Sequence, residues 1–171
     1  MAIEFETFKM PYNRAIPLGL EPESWVTLEG VIPQQSKGFQ VDFTYGQFLG
    51  TSIPLRFKLS FEGPPFHSAV AILNSFTDRQ WGEANKVATH FRQGQRFKIQ
   101  FVVTSKGYKV LENDTFLCEF SHRLSPKRIR FLEMDGDIKL EKVILSWEFR
   151  ISENRNRCPT FGEGWRGCEQ A

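Results

Sequence analysis

Polar and aromatic side chains that could bind a ligand are concentrated in residues 55–86. Two segments of this stretch, LRFKLSF and AVAILNS, alternate in the manner of strands, and DRQWGEANK then places Trp81 at a turn before Gly82. Side chains of neighbouring strands that point to one face can converge beside an exposed indole. Such a site would suit a hexopyranose, whose hydroxyls accept and donate hydrogen bonds while its C–H face stacks on the ring.

Arg56, Lys58 and Ser60 alternate with apolar residues and are therefore expected on one face of their strand. By residue type alone, the two cations are typical of the solvated face of a half-buried strand. Asn74 could satisfy a turn or a strand edge, and Trp81 could belong to the core, since tryptophan is usually largely buried. Residue types by themselves leave both interpretations open.

The order and spacing of these segments resemble the sugar site of the galectin family, which reads His-x-Asn-Pro-Arg, then Val-x-Asn, then Trp-Gly-x-Glu-x-Arg. Asn74, Trp81 and Gly82 match this pattern. PYNRAIPLGL near the start and FRQGQRFKIQFVVTSKGYKVLENDTFLCEFSHRL later in the chain also resemble the family's strands, so that the likeness covers roughly residues 9–146. It implies a carbohydrate-recognition domain at residues 1–146 and a C-terminal extension at residues 147–171.

Five polar positions of the family's pattern are substituted. Arg56 stands in place of His, Lys58 in place of Asn, and Ser60 in place of Arg. Ala84 stands in place of Glu, and Lys86 in place of the second Arg. The family's Arg and Glu at these positions form a partly enclosed charge pair. Because both are replaced, by Ser60 and Ala84, neither charge is left uncompensated. The replacement also removes the guanidinium that in the family would bind the galactose 4-hydroxyl and ring oxygen.

These substitutions, set on the family's frame, predict a carbohydrate-binding lectin with weakened or altered β-galactoside recognition. Three cations without a carboxylate at Ala84 predict a preference for glycans that carry sulfate, sialic acid or another anionic group. Glu83 could replace the family's Glu only if the turn shifted by one residue. The alternative is a galectin-fold module that has lost sugar binding and contacts protein through a sheet face. The predicted carbohydrate-binding residues are Arg56, Lys58, Ser60, Asn74, Trp81, Glu83 and Lys86.

Short alternating segments recur along the chain between glycine and proline turns, without a helical period. They predict an all-β sandwich of two antiparallel sheets, and the resemblance implies the jelly-roll topology of galectins and concanavalin A. Residues 11–19 are expected to form a loop, and residues 128–134 and 138–147 to form strands. The predicted core comprises Phe43, Phe57, Leu59, Phe97, Ile99 and Phe101.

Composition limits the other classes of function. The 171 residues suffice for one sizeable core, and the formal net charge of +2 is spread without a basic block that would favour nucleic-acid binding. No apolar stretch approaches membrane-spanning length, so no membrane insertion is expected, and MAIEFETFK lacks the features of a secretory signal. Cys118, Cys158 and Cys168 make no disulfide framework, which predicts reduced thiols in the cytoplasm, although an oxidising setting could pair the last two.

The resemblance adds expectations about partners and localisation. It implies glycans or glycoproteins as partners and allows a homodimer. It also implies cytoplasmic synthesis, with export to the extracellular side by a route that needs no signal peptide.

Chemistry other than binding has little support in the sequence. Glu133, Asp135 and Asp137 alternate in the way that paired catalytic carboxylates of a glycosidase can, but Gly136 divides them and predicts a turn. The histidines at positions 67, 90 and 122 lack partners at metal-ligand spacing. The chain is therefore expected to be no enzyme and to hold neither a metal nor another cofactor.

Overall fold

The structure is a computed structural model and describes residues 8–61 and 69–148. These residues form twelve strands and one short 3-10 helix, and no helix among them is long and apolar enough to cross a membrane. The strands are β1 Tyr12–Ala15, β2 Trp25–Val31, β3 Gly38–Thr44, β4 Ile53–Phe61, β5 Ala69–Thr77, β6 Gln80–Trp81, β7 Asn85–Thr89, β8 Arg96–Val103, β9 Gly107–Glu112, β10 Thr115–Ser121, β11 Phe131–Gly136 and β12 Lys139–Leu145.

The strands make two sheets, and every pairing within them is antiparallel. The seven-stranded sheet has the order β1-β11-β3-β4-β5-β6, with β7 also paired to β5. The five-stranded sheet has the order β10-β9-β8-β2-β12. The predicted all-β sandwich of two antiparallel sheets is thereby confirmed.

The core lies between the sheets and is built largely from aromatic rings. Phe101 of the five-stranded sheet meets Phe43 and Phe57 of the other sheet edge to face, with ring centroids 5.3 and 5.8 Å apart. Such pairs contribute about 0.5–1.5 kcal/mol each beyond the area that they bury. All six core residues predicted from the alternation are buried, so the inward stripe is confirmed.

The alternation that buries one row of residues presents the next row on the opposite face of the seven-stranded sheet. Phe57 of β4 is buried and pairs with Val41 of β3 and Leu73 of β5. Arg56, one residue earlier, pairs with Asp42 and Asn74 in the same two strands. The polar residues of three strands are therefore brought to one outer face, which the sequence predicted for Arg56, Lys58 and Asn74.

Three segments differ from the sequence-based prediction. Residues 138–147 were expected to form one strand, but β12 ends at Leu145 and residues 146–148 are helical. Residues 11–19 were expected to form a loop, but they contain β1, which pairs with β11 at the edge of the sheet. An edge strand tolerates neighbouring prolines because only one of its sides must supply ladder hydrogen bonds. The strand expected from Arg128 begins instead at Phe131, because Pro126–Arg128 forms the 3-10 helix, with proline fixing φ at its start.

The ends of the chain are described in part. Phe8 forms an isolated bridge with Leu140, and the residues before it lie outside the described ones. Trp147 packs against the core, and Glu148 forms an ion pair with Arg14 of β1. Residues 149–171, including Cys158 and Cys168, also lie outside the described part, as does His67.

Candidate functional site

A row of polar residues crosses five adjacent strands on the outer face of the seven-stranded sheet. Their pairing runs from Asn13 of β1 to Glu133 of β11, Asp42 of β3, Arg56 of β4 and Asn74 of β5. Neighbouring strands lie about 4.8 Å apart, so each side chain is within reach of the next. The row joins two of the predicted site residues, Arg56 and Asn74, to two carboxylates.

Arg56 is held at the centre of this row. Its Nε and one Nη each donate a hydrogen bond of 2.8 Å to the two carboxylate oxygens of Asp42. The Asp42 side chain is only 7% exposed and that of Arg56 is 27% exposed, so the pair is partly shielded from water. Bidentate pairing of this kind fixes the plane of the guanidinium and offsets its charge. Asp42 stands between the apolar Val41 and Phe43 in the sequence, a local pattern that does not connect it with Arg56.

The Arg56 guanidinium also lies over the indole of Trp81. Its central carbon is 4.5 Å from the centroid of the Trp81 ring, which is the geometry of a cation–π contact. Trp81 pairs with Phe76 of β5, and the centroids of the two rings are 5.1 Å apart. Trp81 remains 44% exposed. A sugar that stacks on this indole must therefore share it with the guanidinium or displace the guanidinium.

The turn that carries Trp81 is held in a defined shape by its backbone. Asp78 and Arg79 have φ values of 51° and 62°, the left-handed conformation that a tight two-residue hairpin requires at both central positions. This hairpin places Trp81 in the short strand β6 rather than in the turn expected from the Trp-Gly sequence. The indole is consequently positioned by sheet pairing with β5.

Asn74 connects this turn to the sheet. Its Nδ2 donates to the carbonyl of Gly82 at 3.0 Å, and its Oδ1 accepts from the backbone N–H of Ser75 at 2.8 Å. Oδ1 also accepts from Nη1 of Arg123 at 3.0 Å. Asn74 therefore stabilises the protein's own backbone beside the indole, the duty that residue type alone suggested.

The site also includes Arg123, which is not among the residues predicted from the sequence. Its guanidinium donates to Asn74, to the Ser75 hydroxyl at 3.3 Å, and to the backbone carbonyl of Glu83 at 2.6 Å. It thus anchors the segment after Trp81 to β5. No local pattern in the sequence could have located it, because Arg123 is 49 positions from Asn74.

Lys58 and Lys86 lie one row away from Arg56 on the same face. Both are exposed, and each pairs with Ile72 from opposite sides, which places them about 10 Å apart at two strand spacings. Neither lysine forms a salt bridge with a carboxylate of the described residues. They are exposed cations on the outer face of the sheet.

The remaining predicted residues lie further from the indole. Ser60 is half-buried opposite Gly38 and Val70, two rows along β4 from Arg56 on the same face. Glu83 is exposed in the segment after β6, with its backbone carbonyl bound by Arg123. The structure therefore brings together Arg56, Asn74 and Trp81, with Lys58 and Lys86 adjacent and Ser60 and Glu83 at the periphery.

The other side of Arg56 is acidic. A cavity of about 400 Å³ opens there between β1, β11 and β3, and its lining includes Asp42, Arg56, Glu133 and Asp135. Partial burial raises the pKa of Glu133, the Asp42 charge raises it further, and Arg56 opposes both effects. The Arg56 positive charge is thus surrounded by carboxylates on this side, so the sequence-based count of three unopposed cations is reduced to two lysines.

The acidic cluster seen in the sequence is divided by the fold. Glu133 and Asp135 lie on the outer face of β11, opposite Asp42 and Gln40. Asp137 follows the strand, and its carboxylate accepts the backbone N–H of Lys37 at 3.0 Å. Among the described residues, no group of His, Cys, Asp and Glu is arranged to hold a metal ion.

Comparison with known proteins assigns this arrangement to a family. A family model described as galactoside-binding lectin matches residues 11–145. The chain is 33% identical to galectin-4 of Rattus norvegicus over 135 residues, which is 78% of this chain and 40% of that protein. It is 27% identical to human galectin-7 over 135 residues, which is 78% of this chain and 96% of that protein. The chain thus spans about two-fifths of the length of its galectin-4 relatives.

Solved structures agree with the sequence comparison. Sheep galectin-11, in complex with glycerol, superposes with a TM-score of 0.71 at 31% identity, over 79% of this chain and 96% of that one. A variant of human galectin-16 superposes with a TM-score of 0.72 at 20% identity, over 81% of this chain and 96% of that one, which supports the fold alone.

Proposed function

Because the chain belongs to the galactoside-binding lectin family, we propose that it is a carbohydrate-binding lectin that binds neutral β-galactosides weakly and favours anionic glycans. Its partners are then glycans and the glycoproteins that carry them. The single observation that carries this proposal is the position of Arg56, clamped by Asp42 and lying over Trp81. The family's stacking residue is retained, but one face of it is shared with a charged side chain.

Weak recognition of neutral galactosides follows from the contacts with Asp42 that Arg56 would lose. A sugar that takes the indole face must move the guanidinium, which breaks two charge-assisted hydrogen bonds to Asp42. The buried Asp42 carboxylate would then lose its partner, at a cost that weak hydroxyl contacts do not offset. Asn74 compensates little, because its side-chain oxygen already accepts two hydrogen bonds.

The preference for anionic glycans rests on Lys58 and Lys86. Because the charge of Arg56 is offset by Asp42, these two lysines are the predicted site cations whose charge remains exposed on the face. A sulfate or carboxylate placed between them, over Ile72, would be within reach of both flexible side chains. Since the contact is near the surface, its strength should fall as salt rises above physiological concentration.

Isothermal titration with lactose, sulfated lactose and sialyllactose tests this proposal, preceded by a glycan array with lactose competition. The native protein is expected to bind an anionic ligand at least about tenfold more tightly than lactose, since each of two charge contacts contributes about 0.7 kcal/mol or more. Replacing both lysines, Lys58→Ala with Lys86→Ala, should remove that difference. Lys109→Ala, an exposed lysine on the five-stranded sheet, is the matched control and should change nothing.

Equal affinity for neutral and anionic ligands in the native protein would remove the electrostatic part of the proposal. The second candidate function is a protein-interaction module that has left sugar binding behind. The observation that favours it is that the polar atoms beside Trp81 already bind one another, through Asn74 and Arg123. An array on which no glycan is bound, neutral or charged, would put that function first.

A further inference from the structure

Three loops meet at one end of the sandwich, away from the acidic cavity. The backbone N–H of Leu20 donates to the carbonyl of Pro126 at 3.0 Å, and that of Arg130 donates to Thr44 at 2.9 Å. The Tyr45 hydroxyl donates to the carbonyl of Ser125 at 2.8 Å. The loop before β2, the β3–β4 hairpin loop and the segment before β11 are therefore tied into one surface, called here the loop end.

The hairpin loop presents apolar side chains at its tip. Leu49 is fully exposed, Phe48 is 69% exposed, and Leu18 of the first loop is 82% exposed. The tip is closed by hydrogen bonds from the Tyr45 N–H to Ser52 and from the Thr51 N–H to Phe48, at 3.0 and 3.1 Å. Single exposed apolar residues are common on protein surfaces. An adjacent pair of large apolar side chains on a closed tip instead indicates an interaction site.

Cations lie in the segment that packs at the base of this hairpin loop. Lys127, Arg128 and Arg130 are all exposed in the segment before β11. The Arg128 guanidinium lies 5.0 Å from the ring centroid of Tyr45, at the base of the hairpin loop. Neither residues 45–52 nor residues 121–130 contain an Asp or a Glu, so the hairpin loop is uncharged and the segment before β11 carries positive charge only. The nearest acids in the first loop, at positions 21 and 23, follow Leu20 toward β2.

We propose that the loop end binds the surface of membranes that contain anionic phospholipids. Phe48 and Leu49 enter the interface between headgroups and acyl chains, while Lys127 and Arg128 face the lipid phosphates. This combination of exposed apolar side chains with a rim of cations is what binds a protein to an anionic membrane without spanning it. The cations are complementary in charge to anionic phospholipid headgroups. The exposed tip favours a membrane over a protein partner, because a protein would need a pocket that accepts the two apolar side chains.

The expectation of no membrane insertion concerned spanning segments, and none is found in the described residues. Surface binding was not visible in the sequence because Phe48 and Leu49 lie in a short polar hairpin, GQFLGTS, that has no membrane signature. The tip becomes an apolar feature only when the fold leaves it uncovered. The proposal is independent of sugar binding, since phospholipid vesicles carry no glycan.

Co-sedimentation of the full chain with vesicles tests the proposal. One set of vesicles is phosphatidylcholine alone, and the other is phosphatidylcholine mixed with phosphatidylserine. The native protein should sediment with the anionic vesicles and not with the neutral ones. Two double variants, Phe48→Ser with Leu49→Ser and Lys127→Gln with Arg128→Gln, should each weaken binding by at least about tenfold.

Matched controls and opposing outcomes keep the test decisive. Phe116→Ser and Lys109→Gln replace an exposed phenylalanine and an exposed lysine of the other sheet, and both should bind as the native protein does. Thermal melts establish that every variant is folded. Unchanged binding after Phe48 and Leu49 are replaced would mean attraction by charge alone and would overturn the proposal. Failure to bind anionic vesicles would also overturn it, and in that case binding of poly-glutamate would point to an acidic protein instead.

Discussion

The outer face of the seven-stranded sheet has two halves of opposite charge. Strand β3 presents Asp42 and β11 presents Glu133 and Asp135, whereas β4 and β7 present Lys58 and Lys86. Arg56 lies at the boundary and directs its charge toward the acidic half. A cation on this outer face is therefore not always available to a ligand. Its partner on the neighbouring strand determines how much of its charge remains for ligand binding.

Removing a core ring beneath both halves should have the largest effect on the free energy of unfolding. Phe57 is buried beneath the boundary, between Arg56 and Lys58 in sequence, and its ring packs on Phe101 at 5.8 Å. Phe57→Ala is expected to lower the free energy of unfolding by about 3–5 kcal/mol, through lost burial and a cavity. Urea denaturation followed by tryptophan fluorescence measures it. A loss below about 1 kcal/mol would mean that the two halves do not share this core.

Removing the partner of Arg56 should have an intermediate effect. Asp42→Ala is expected to cost about 1–3 kcal/mol, because two hydrogen bonds to a charged group are lost in a partly shielded place. It should also raise the affinity for sulfated ligands, since the guanidinium is no longer offset. Asp135→Ala, an exposed carboxylate of the same half, is the control and should change stability by less than about 0.5 kcal/mol. Equal costs for the two variants would show that the Asp42–Arg56 pair has no special role.

The acidic half should also make the stability of the protein depend weakly on pH. Since burial and Asp42 raise the pKa of Glu133 in the folded state, folding favours its protonated form. Its charge therefore opposes folding above its folded-state pKa, and this effect disappears as the pH falls below its unfolded-state pKa. Glu133→Gln should be slightly more stable than the native protein at pH 7, with the difference closing on acidification. A difference that is constant with pH would contradict the assigned cause.

The sequence predicted much of the fold because its signals are local. Alternation in residues 38–44 and 55–61 fixes which side chains face inward, and Phe43, Phe57 and Phe101 are buried as expected. Local composition predicted a loop in place of edge strand β1, because its four residues lie between prolines and are held by pairing with β11, a distant segment. The resemblance of PYNRAIPLGL to the family's opening strand indicated a strand there. Strand pairing of this kind depends on tertiary contacts that no short window contains.

The candidate site was predictable in its positions but not in its pairings. The family pattern placed Arg56, Asn74 and Trp81 near one another, and the fold brings them together. The Asp42–Arg56 clamp joins residues of two strands whose register the sequence did not give. Arg123 reaches the site from a segment on the other side of the sandwich. Such long-range pairings decide which polar atoms remain for a ligand.

The central claim is that the Arg56 guanidinium limits neutral galactoside binding by lying over Trp81. The most direct test is a titration of lactose into the native protein and into Arg56→His, which carries the family's residue at that position. Arg79→His, a neighbouring exposed arginine on the turn before Trp81, is the matched control, and thermal melts verify that all three proteins are folded. We expect weak binding by the native protein and the control, and binding several-fold tighter by Arg56→His. Lactose affinity that is the same in the native protein and in Arg56→His would contradict it.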